Sequence, residues 1–183
     1  NKATDAIVWL KKAAEKGNAE AQGRLAYQYS IGDGISQDLE EAYFWTEKAA
    51  ISGSSYAQTS LVFKLSQGIG VEKNINKAKE CLIKYSDEKN PESMFLLSHC
   101  LIGFKRAYLQ KDMPFLYEMD FEIDDARGCS LLQEIVTHKY VSERTLASAS
   151  VDLAQLYLFG VGTIKDEKKA FKIFKSYAEK GDP

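Results

Sequence analysis

The sequence contains little proline, cysteine or histidine, glycine is not enriched, and neither sign of charge is in excess. Its 183 residues include 3 Pro, 12 Gly, 3 Cys and 2 His, which argues against a collagen-like, disordered or disulfide-dense chain. The 24 Lys and Arg nearly balance the 26 Asp and Glu, so a nucleic-acid partner is disfavoured. No apolar run approaches the roughly 20 residues of a membrane-spanning helix. The remaining class is a soluble globular protein of one domain or two small ones.

The few cysteines and histidines do not form a recognisable chemical site. Cys81, Cys100 and Cys129 match no zinc-ligand spacing, and an odd number forms no complete disulfide framework, so free and mostly buried thiols are expected. His99 and His138 have no carboxylate partner at ligand spacing. We therefore predict no metal and no cofactor. The chain begins with Asn1 inside a predicted helix and has no signal-peptide h-region, which indicates a trimmed or processed chain.

The residues that are present repeat with a period of 36. Trp9 and Trp45 are separated by this distance, and so are Gly17 and Gly53. The last copy follows the first by 128 positions, so the copy before it carries twenty extra residues. A fixed period of this length indicates a repeat architecture. The predicted units are a half repeat at 2–17 and repeats at 19–53, 55–89, 91–139 and 147–181, with an insertion near 104–125.

Each unit has the pattern of two helices joined by a glycine turn. Leu25 and Tyr29 belong to an apolar stripe of helical period, and Gly32 and Gly34 end that helix. Asp38 stands where the second helix needs an N-cap. The apolar stripe of the second helix comprises Ala42, Trp45, Ala49 and Ala50, and Gly53 follows its end. Since neither helix can bury its stripe alone, neighbouring pairs are expected to stack.

Written as A-x-A-x-x-x-L-x-x-x-Y-x-x-G-x-G-[IV]-x-x-D-x-x-x-A-x-x-W-x-x-K-A-A-x-x-G, the pattern resembles the Sel-one-like repeat, a relative of the tetratricopeptide repeat. The resemblance implies an all-α fold, a right-handed superhelical α/α solenoid forming a single domain over 1–183. The third copy departs most. Its glycine turn is replaced by the insertion, and its second helix is expected to resume near Asp124, with Cys129 in the column of Cys81.

The resemblance implies that the first helix of each pair lines a concave surface. The ninth position of the repeat holds Tyr27, Phe63, His99 and Gln155, and the thirteenth includes Ile31 and Phe159. A ladder of aromatic and polar side chains on an exposed groove is typical of a protein-binding surface. The predicted polar rim comprises Glu20, Arg24, Gln28, Tyr56, Lys64 and Glu92. The alternative is that the rings pack against the next repeat.

The insertion mixes aromatic and acidic side chains. Its candidate contact residues are Phe115, Tyr117, Glu118, Asp120, Phe121 and Glu122. An acidic, aromatic segment suits a basic partner, and insertions in solenoids often lie on the binding face. The alternative is a short helix that fills the gap between two repeats. Calcium binding is disfavoured because the segment lacks a glycine-turned twelve-residue loop.

Motifs for catalysis are poor, and we predict no enzyme. The paired glycines follow helices and precede no Lys-Ser/Thr, so they indicate turns rather than phosphate loops. His99 and Cys100 are neighbours on a helix and point about 100° apart, which disfavours a nucleophile and base pair. Cys81 and Cys129 are expected in the core. A cysteine-rich branch of the family linked to penicillin binding carries paired cysteines in every repeat, and this sequence lacks them.

The predicted function is that of a non-catalytic protein–protein interaction module that binds a protein or peptide through its concave helix face and the 104–125 insertion. The first alternative is a bacterial immunity protein that neutralises a secreted toxic effector by occluding its active site. The second is a hydrolase of the cysteine-rich repeat type. These relatives imply a soluble protein of the bacterial periplasm or cytoplasm. Partner identity and oligomeric state stay open.

Overall fold

The computed structural model of the chain describes residues 2–179, so Gly181, at the end of the last predicted repeat, lies outside the described residues. The described part contains eleven α-helices, one 3-10 turn and no strand, which confirms the all-α prediction. The chain divides into two compact units, Asn1–Lys84 and Tyr85–Pro183. The single domain predicted from the repeats stays a prediction. None of the described helices is long and apolar enough to cross a membrane.

The first unit contains α1 (Lys2–Glu15), α2 (Ala19–Ile31), α3 (Leu39–Ile51), α4 (Ser55–Gln67) and most of α5 (Ile75–Asp87). The starts of α2, α3, α4 and α5 are each set by a short polar side chain that accepts a bond from an otherwise unpaired backbone N–H. Asn18 Oδ1 accepts from Ala21 N at 2.8 Å, and the predicted cap Asp38 accepts from Glu40 N at 3.0 Å. Gly32 ends α2 in the left-handed conformation, at φ 75°.

The core of the first unit is built from the small and apolar stripes read in the sequence. α2 packs against both α1 and α3. Ala42 is fully buried, and Leu25 and Trp45 lie in the same cluster. Trp45 Nε1 donates to Glu41 Oε2 at 3.0 Å, which satisfies the buried ring nitrogen. The small side chains let adjacent helices approach, so the paired helices bury what neither could bury alone.

The second glycine of a repeat turn is a contact between successive repeats. Gly70 has φ 71°, and a Cβ placed on it would lie 1.8 Å from the carbonyl oxygen of Leu39, the first residue of α3. The second unit repeats the arrangement, because a Cβ on Gly162 would lie 2.0 Å from the carbonyl oxygen of Asp125. Glycine is therefore required there for both backbone conformation and close approach.

The second unit contains α6 (Pro91–Leu101), a 3-10 turn (Gly103–Lys105), α7 (Arg106–Asp112), α8 (Pro114–Tyr117), α9 (Asp125–Thr137), α10 (Glu143–Phe159) and α11 (Glu167–Glu179). α9 packs against α6 and α10, and α10 packs against α11. Its core comprises Met94, Ile102, Cys129, Leu132, Ile135, Ala149, Leu153 and Leu156. The predicted resumption near Asp124 agrees with α9, whose N-cap is Asp124.

The insertion closes on the same backbone hydrogen bond as the short turns. In the ordinary turns Asp38 N donates to Tyr29 O at 2.9 Å and Asp166 N to Tyr157 O at 2.8 Å. In the third repeat Asp124 N donates to Leu101 O at 2.9 Å, although the chain between them is much longer. The insertion therefore begins and ends at the same positions of the repeat as the short turns do.

The N-caps correct the predicted column of Cys129. Counted from the caps Asp38 and Asp124, Gly128 occupies the place of Ala42, and Leu131 occupies that of Trp45. A Cβ on Gly128 would lie 2.6 Å from Ile102 Cγ1, so this small residue packs closely against the chain that follows α6. Cys129 lies two positions before the expected column because the detour before α9 is two residues longer than the sequence comparison assumed.

Candidate partner-binding surfaces

The first unit contains a groove of about 710 Å³ between α1, α2 and the start of α4. We call it the α2 groove. Its lining residues are Ala6, Ile7, Leu10, Glu20, Gly23, Arg24, Tyr27, Gln28, Ser54 and Tyr56. Three of the predicted contact residues, Arg24, Tyr27 and Gln28, are thus brought together, with Glu20 and Tyr56 of the predicted rim beside them. The side chains from α2 lie together because they occupy the face of this helix opposite its buried apolar stripe.

Two tyrosines and an ion pair form the walls of the α2 groove. The side chains of Tyr27 and Tyr56 are 54% and 70% exposed. Arg24 Nε donates to Glu20 Oε1 at 2.8 Å across one turn of α2. Gly23 lies between these side chains, and a Cβ placed on it would have its nearest neighbour, Ser54 Oγ, at 4.0 Å. The missing side chain therefore leaves open space that contributes to the groove.

A small pocket of about 40 Å³ adjoins the α2 groove and shares Gly23, Tyr27 and Tyr56 with it. We call it the Lys64 pocket. Lys64, predicted from the sequence to lie on the rim, is 7% exposed. Its Nζ lies 3.5 Å from Ser30 Oγ, and burial lowers the pKa of its ammonium group. No carboxylate belongs to the described lining of this pocket.

The other predicted residues of the first unit are exposed but do not line the groove. Ile31, at the end of α2, is 49% exposed, and Phe63 on α4 is 43% exposed. They supply apolar surface that the lining of the α2 groove does not include.

In the second unit, His99 is buried rather than lying on an open groove. Its Nε2 lies 2.6 Å from Asp152 Oδ2, and Phe95 packs on the ring at 4.3 Å between centroids. Lys105 Nζ pairs with the other carboxylate oxygen of Asp152. All three polar side chains are at least half-buried. The arrangement ties the start of the insertion, through Lys105, to α10.

The electrostatics of this cluster favour an ionised Asp152. Burial alone raises the pKa of the carboxyl group, but the hydrogen bonds from His99 and Lys105, with their positive charges, outweigh it and hold the pKa below its usual value. A buried carboxylate with two such donors satisfies the requirement that buried charge be paired.

Several apolar side chains of the insertion point inward, whereas Phe104 and Ile123 at its two ends are 46% and 54% exposed. Phe121 is buried, together with Leu109, Leu116 and Met119. Phe115 and Tyr117 are half-buried, whereas Glu118, Asp120 and Glu122 are exposed. We call these three carboxylates the acidic edge. Of the six predicted contact residues, the exposed ones are therefore carboxylates rather than aromatic rings.

The remaining predicted residues lie on α10. Gln155 is half-buried, and Phe159 at the end of the helix is 69% exposed. A cavity of about 570 Å³ also occurs in this unit, lined by α9, α10 and α11 residues including Val136, Ser150 and Tyr177. Neither predicted residue lines it.

The cysteines lack the surroundings of a nucleophile. Among the described residues, Cys81, Cys100 and Cys129 form no disulfide. Cys129 is buried, Cys81 is half-buried, and burial raises the pKa of both thiols. A raised pKa disfavours the thiolate, which is the reactive form.

Sequence reasoning missed Asp152, Lys105 and the role of Gly23. Asp152 had a usable signal, because it is the only charged residue between Arg144 and Lys165. An isolated charge in an apolar helix predicts a buried partner. Lys105 gave no comparable signal. Gly23 differs from its counterparts Thr59 and Phe95, which carry side chains.

The comparisons with known proteins agree with the repeat pattern. The family model of the Sel1 repeat matches residues 3–18, 19–54, 65–89 and 147–182, more than half of the chain. No curated protein matches. Among solved structures, the chain is similar to a protective antigen of uropathogenic Escherichia coli strains displaying an SLR fold, at 26% identity and TM-score 0.72, covering 98% of this chain and 34% of that one.

A Sel1 repeat protein from Oxalobacter formigenes is also similar, at 24% identity and TM-score 0.75, covering 98% of this chain and 46% of that one. This second likeness bears on the fold alone. The chain therefore spans between a third and a half of the length of these two relatives. Together with the family match, they confirm the predicted fold class, a helical repeat solenoid of this type.

Proposed function

Since the chain belongs to the Sel1 repeat family, whose members generally mediate protein–protein interaction without catalysis, we propose that it binds a protein or peptide partner through the α2 groove. The observation that carries the proposal is the convergence of Arg24, Tyr27 and Tyr56 around one open groove. Tyrosine and arginine are the side chains that most often contribute large binding energies at interfaces.

The geometry suits a chain segment better than a small molecule. The groove is open along α2, and its tyrosines keep about half or more of their surface exposed. Such rings offer apolar contact area at a low cost in side-chain entropy, while their hydroxyl groups can bond to a peptide backbone. Arg24 and Glu20 supply paired charge at the rim. A partner segment that covers the rings would bury surface that the free protein leaves in water.

We propose further that the acidic edge contributes to partner choice. Glu118, Asp120 and Glu122 are exposed, and they alternate along the chain with the buried Met119 and Phe121. Charges at such a position steer association with a basic surface and are sensitive to salt. This surface is the feature that favours the immunity protein as a second candidate function, because an acidic segment can cover a basic active site.

The test is affinity capture from the native source with the wild-type chain and two variants of it. Tyr27→Ala/Tyr56→Ala removes both groove rings, and we expect a loss of about 2 kcal/mol or more in binding free energy for a groove-bound partner. Tyr140→Ala is the matched control, because Tyr140 is 75% exposed and lies outside the groove. Partners that bind equally to all three proteins would contradict the groove proposal.

The second candidate is separated from the first by charge-only substitutions. Glu118→Gln/Asp120→Asn/Glu122→Gln removes the acidic edge without touching the buried side chains of the insertion. If this variant alone loses a captured toxic enzyme, and the protein inhibits that enzyme, the immunity role is supported. If capture depends on the tyrosines alone, the insertion is not the contact element.

A further inference from the structure

Lys64 carries a charge in a place where the surrounding protein supplies little to balance it. Lys64 is a buried residue of α4, with 7% of its surface exposed. The described lining of its pocket holds Gly23, Ala26, Tyr27, Ser30, Thr46, Tyr56, Ala57 and Ser60, which includes hydroxyl groups but no acidic side chain.

A buried ammonium group is costly unless acceptors or an opposite charge surround it. Ser30 Oγ is at 3.5 Å from Lys64 Nζ, the limit of hydrogen-bond distance, and the same hydroxyl donates to Ala26 O at 2.9 Å. An ammonium group has three donors, so among the described residues the weak contact to Ser30 leaves capacity for a further acceptor. A methionine or leucine would fill the same position in the core without the charge. The presence of lysine therefore points to a ligand group.

We infer that the Lys64 pocket receives a carboxylate of the bound partner. The inference rests on the proposed function, because the pocket opens between the two tyrosines that flank the α2 groove. A volume of about 40 Å³ suits one carboxylate group and excludes a large side chain. Lys64 supplies the charge-assisted bond, and Ser30 and Ser60 are the neighbouring hydroxyl groups.

The juxtaposition of the two cavities specifies the partner further. Gly23, Tyr27 and Tyr56 line both of them, so a segment lying in the α2 groove passes directly over the Lys64 pocket. The recognised segment therefore combines apolar contacts to the rings with one acidic group at a fixed position. That group is either an Asp or Glu side chain or the carboxylate at a peptide C-terminus.

The probes are two libraries of ten-residue synthetic peptides on beads, screened with the whole chain. One library is attached through its C-terminus and offers side-chain carboxylates only, and the other is attached through its N-terminus and also offers a free terminal carboxylate. We expect enrichment of an acidic group at one position near aromatic or aliphatic residues. Enrichment in both libraries indicates a side chain, and enrichment of the terminal group alone indicates a C-terminus.

Selected peptides are then measured in solution as acidic and amide pairs, Glu against Gln or carboxylate against carboxamide. The wild-type protein should bind the acidic form about tenfold more tightly, the effect of one charge-assisted hydrogen bond. Lys64→Met keeps the length of the side chain and should bind both forms alike. Lys16→Met makes the same change of charge at an exposed position and should behave as the wild type.

The outcomes separate the inference from the function on which it rests. If peptides bind through Tyr27 and Tyr56 but show no acidic preference, the carboxylate site is wrong and the groove proposal stands. If no peptide binds in a groove-dependent manner, the proposed function itself fails for peptide segments. The comparison of acidic and amide peptides on the wild-type protein needs no variant, so a lack of acidic preference overturns the inference even if Lys64→Met does not fold. An acidic preference that Arg24→Met retains supports Lys64, whereas one that Arg24→Met abolishes assigns the carboxylate to Arg24 and overturns the inference.

Discussion

The carboxylate of Asp152 is buried on α10 and receives hydrogen bonds from His99 and Lys105. These two residues come from α6 and the start of the insertion, so one side chain links α10 to chain segments 53 and 47 residues before it. Its replacement would leave the Lys105 ammonium group without a counter-ion at a mostly buried position. The consequence should be seen in stability rather than in ligand binding.

Asp152→Asn is therefore expected to lower the free energy of unfolding by about 3 kcal/mol, the typical result of breaking a buried ion pair. Urea denaturation followed by circular dichroism measures the change. Asp33→Asn makes the same chemical change at an exposed position in the first unit and should have little effect. A loss for Asp152→Asn no larger than that of the control would show that the pair contributes nothing net.

The same carboxylate predicts a pH dependence. Its pKa is lower in the folded protein than in the unfolded chain, where it is about 3.9. The stabilisation is therefore fully present above about pH 4 and is lost as the pH falls through the folded value. We expect the stability difference between wild type and Asp152→Asn, measured by urea midpoints, to shrink at pH 3 relative to pH 7. An undiminished difference would mean that Asp152 does not act as a charge.

Gly23 offers the opposite case, because its substitution should stabilise the fold while obstructing the groove. It lies in the middle of α2, and an added methyl group meets nothing closer than 4.0 Å. Gly23→Ala should raise the free energy of unfolding by about 0.5–1 kcal/mol through helix propensity. Thermal and urea denaturation check this, and weaker partner capture by the larger Gly23→Gln would show that the space serves binding. If Gly23→Ala instead lowered the free energy of unfolding, the open space around Gly23 would not explain the effect and the prediction would be wrong.

At the scale of the helices, successive repeats contact each other at their turns. The turn of one repeat approaches the first residue of the second helix in the preceding repeat. Gly70 and Gly53 both have positive φ, of 71° and 88°. They differ in surroundings, because a Cβ on Gly70 would overlap Leu39 O whereas one on Gly53 meets nothing within 4 Å. The pair therefore separates backbone strain from packing between helices.

Gly53→Ala should lower stability by about 1 kcal/mol, the cost of a left-handed alanine. Gly70→Ala should lower it by a further 1–3 kcal/mol or so, because the turn must move away from α3. Denaturant midpoints of the two variants give the difference directly. Equal losses of unfolding free energy in the two variants would show that the turn moves away from α3 without cost. The close contact between Gly70 and Leu39 would then not restrict the residue at position 70.

The helices were predictable from sequence where the determinants are local. Asp38 and Gly32 mark helix ends through contacts within a few residues, and the stripe through Leu25 follows from helical period alone. Arg24, Tyr27 and Gln28 could be assigned to a surface for the same reason. Cys129 was placed two positions too late in the repeat because the length of a detour is not written in any local pattern. His99 and Asp152 meet across 53 residues, a tertiary contact that periodicity does not contain.

Over the entire chain, both tryptophans lie in the unit Asn1–Lys84, and the second unit contains none. The boundary between the units falls within α5 (Ile75–Asp87). Tryptophan fluorescence therefore reports unfolding of the first unit, while circular dichroism reports both. This distribution allows the predicted single domain to be tested without cutting the chain.

If repeats couple to their neighbours as in other solenoids, Asp152→Asn should lower the fluorescence midpoint together with the circular dichroism midpoint. The substitution lies entirely in the second unit, so a shift of the Trp9 and Trp45 signal requires cooperative unfolding. A fluorescence midpoint that stays at the wild-type value while the dichroism midpoint falls would show two separate domains.

The hydrogen bond from Asp124 N to Leu101 O allows the insertion to vary independently of the repeats on either side of it. The chain leaves and re-enters the repeat at the same points as in the short turns. Evolution can therefore change the length or the charge of the insertion without shifting the helices on either side of it. The added closure cost grows only with the logarithm of length, about 0.6 kcal/mol for each doubling. A repeat protein of this kind can thus acquire a new partner specificity at one turn while the rest of its architecture stays unchanged.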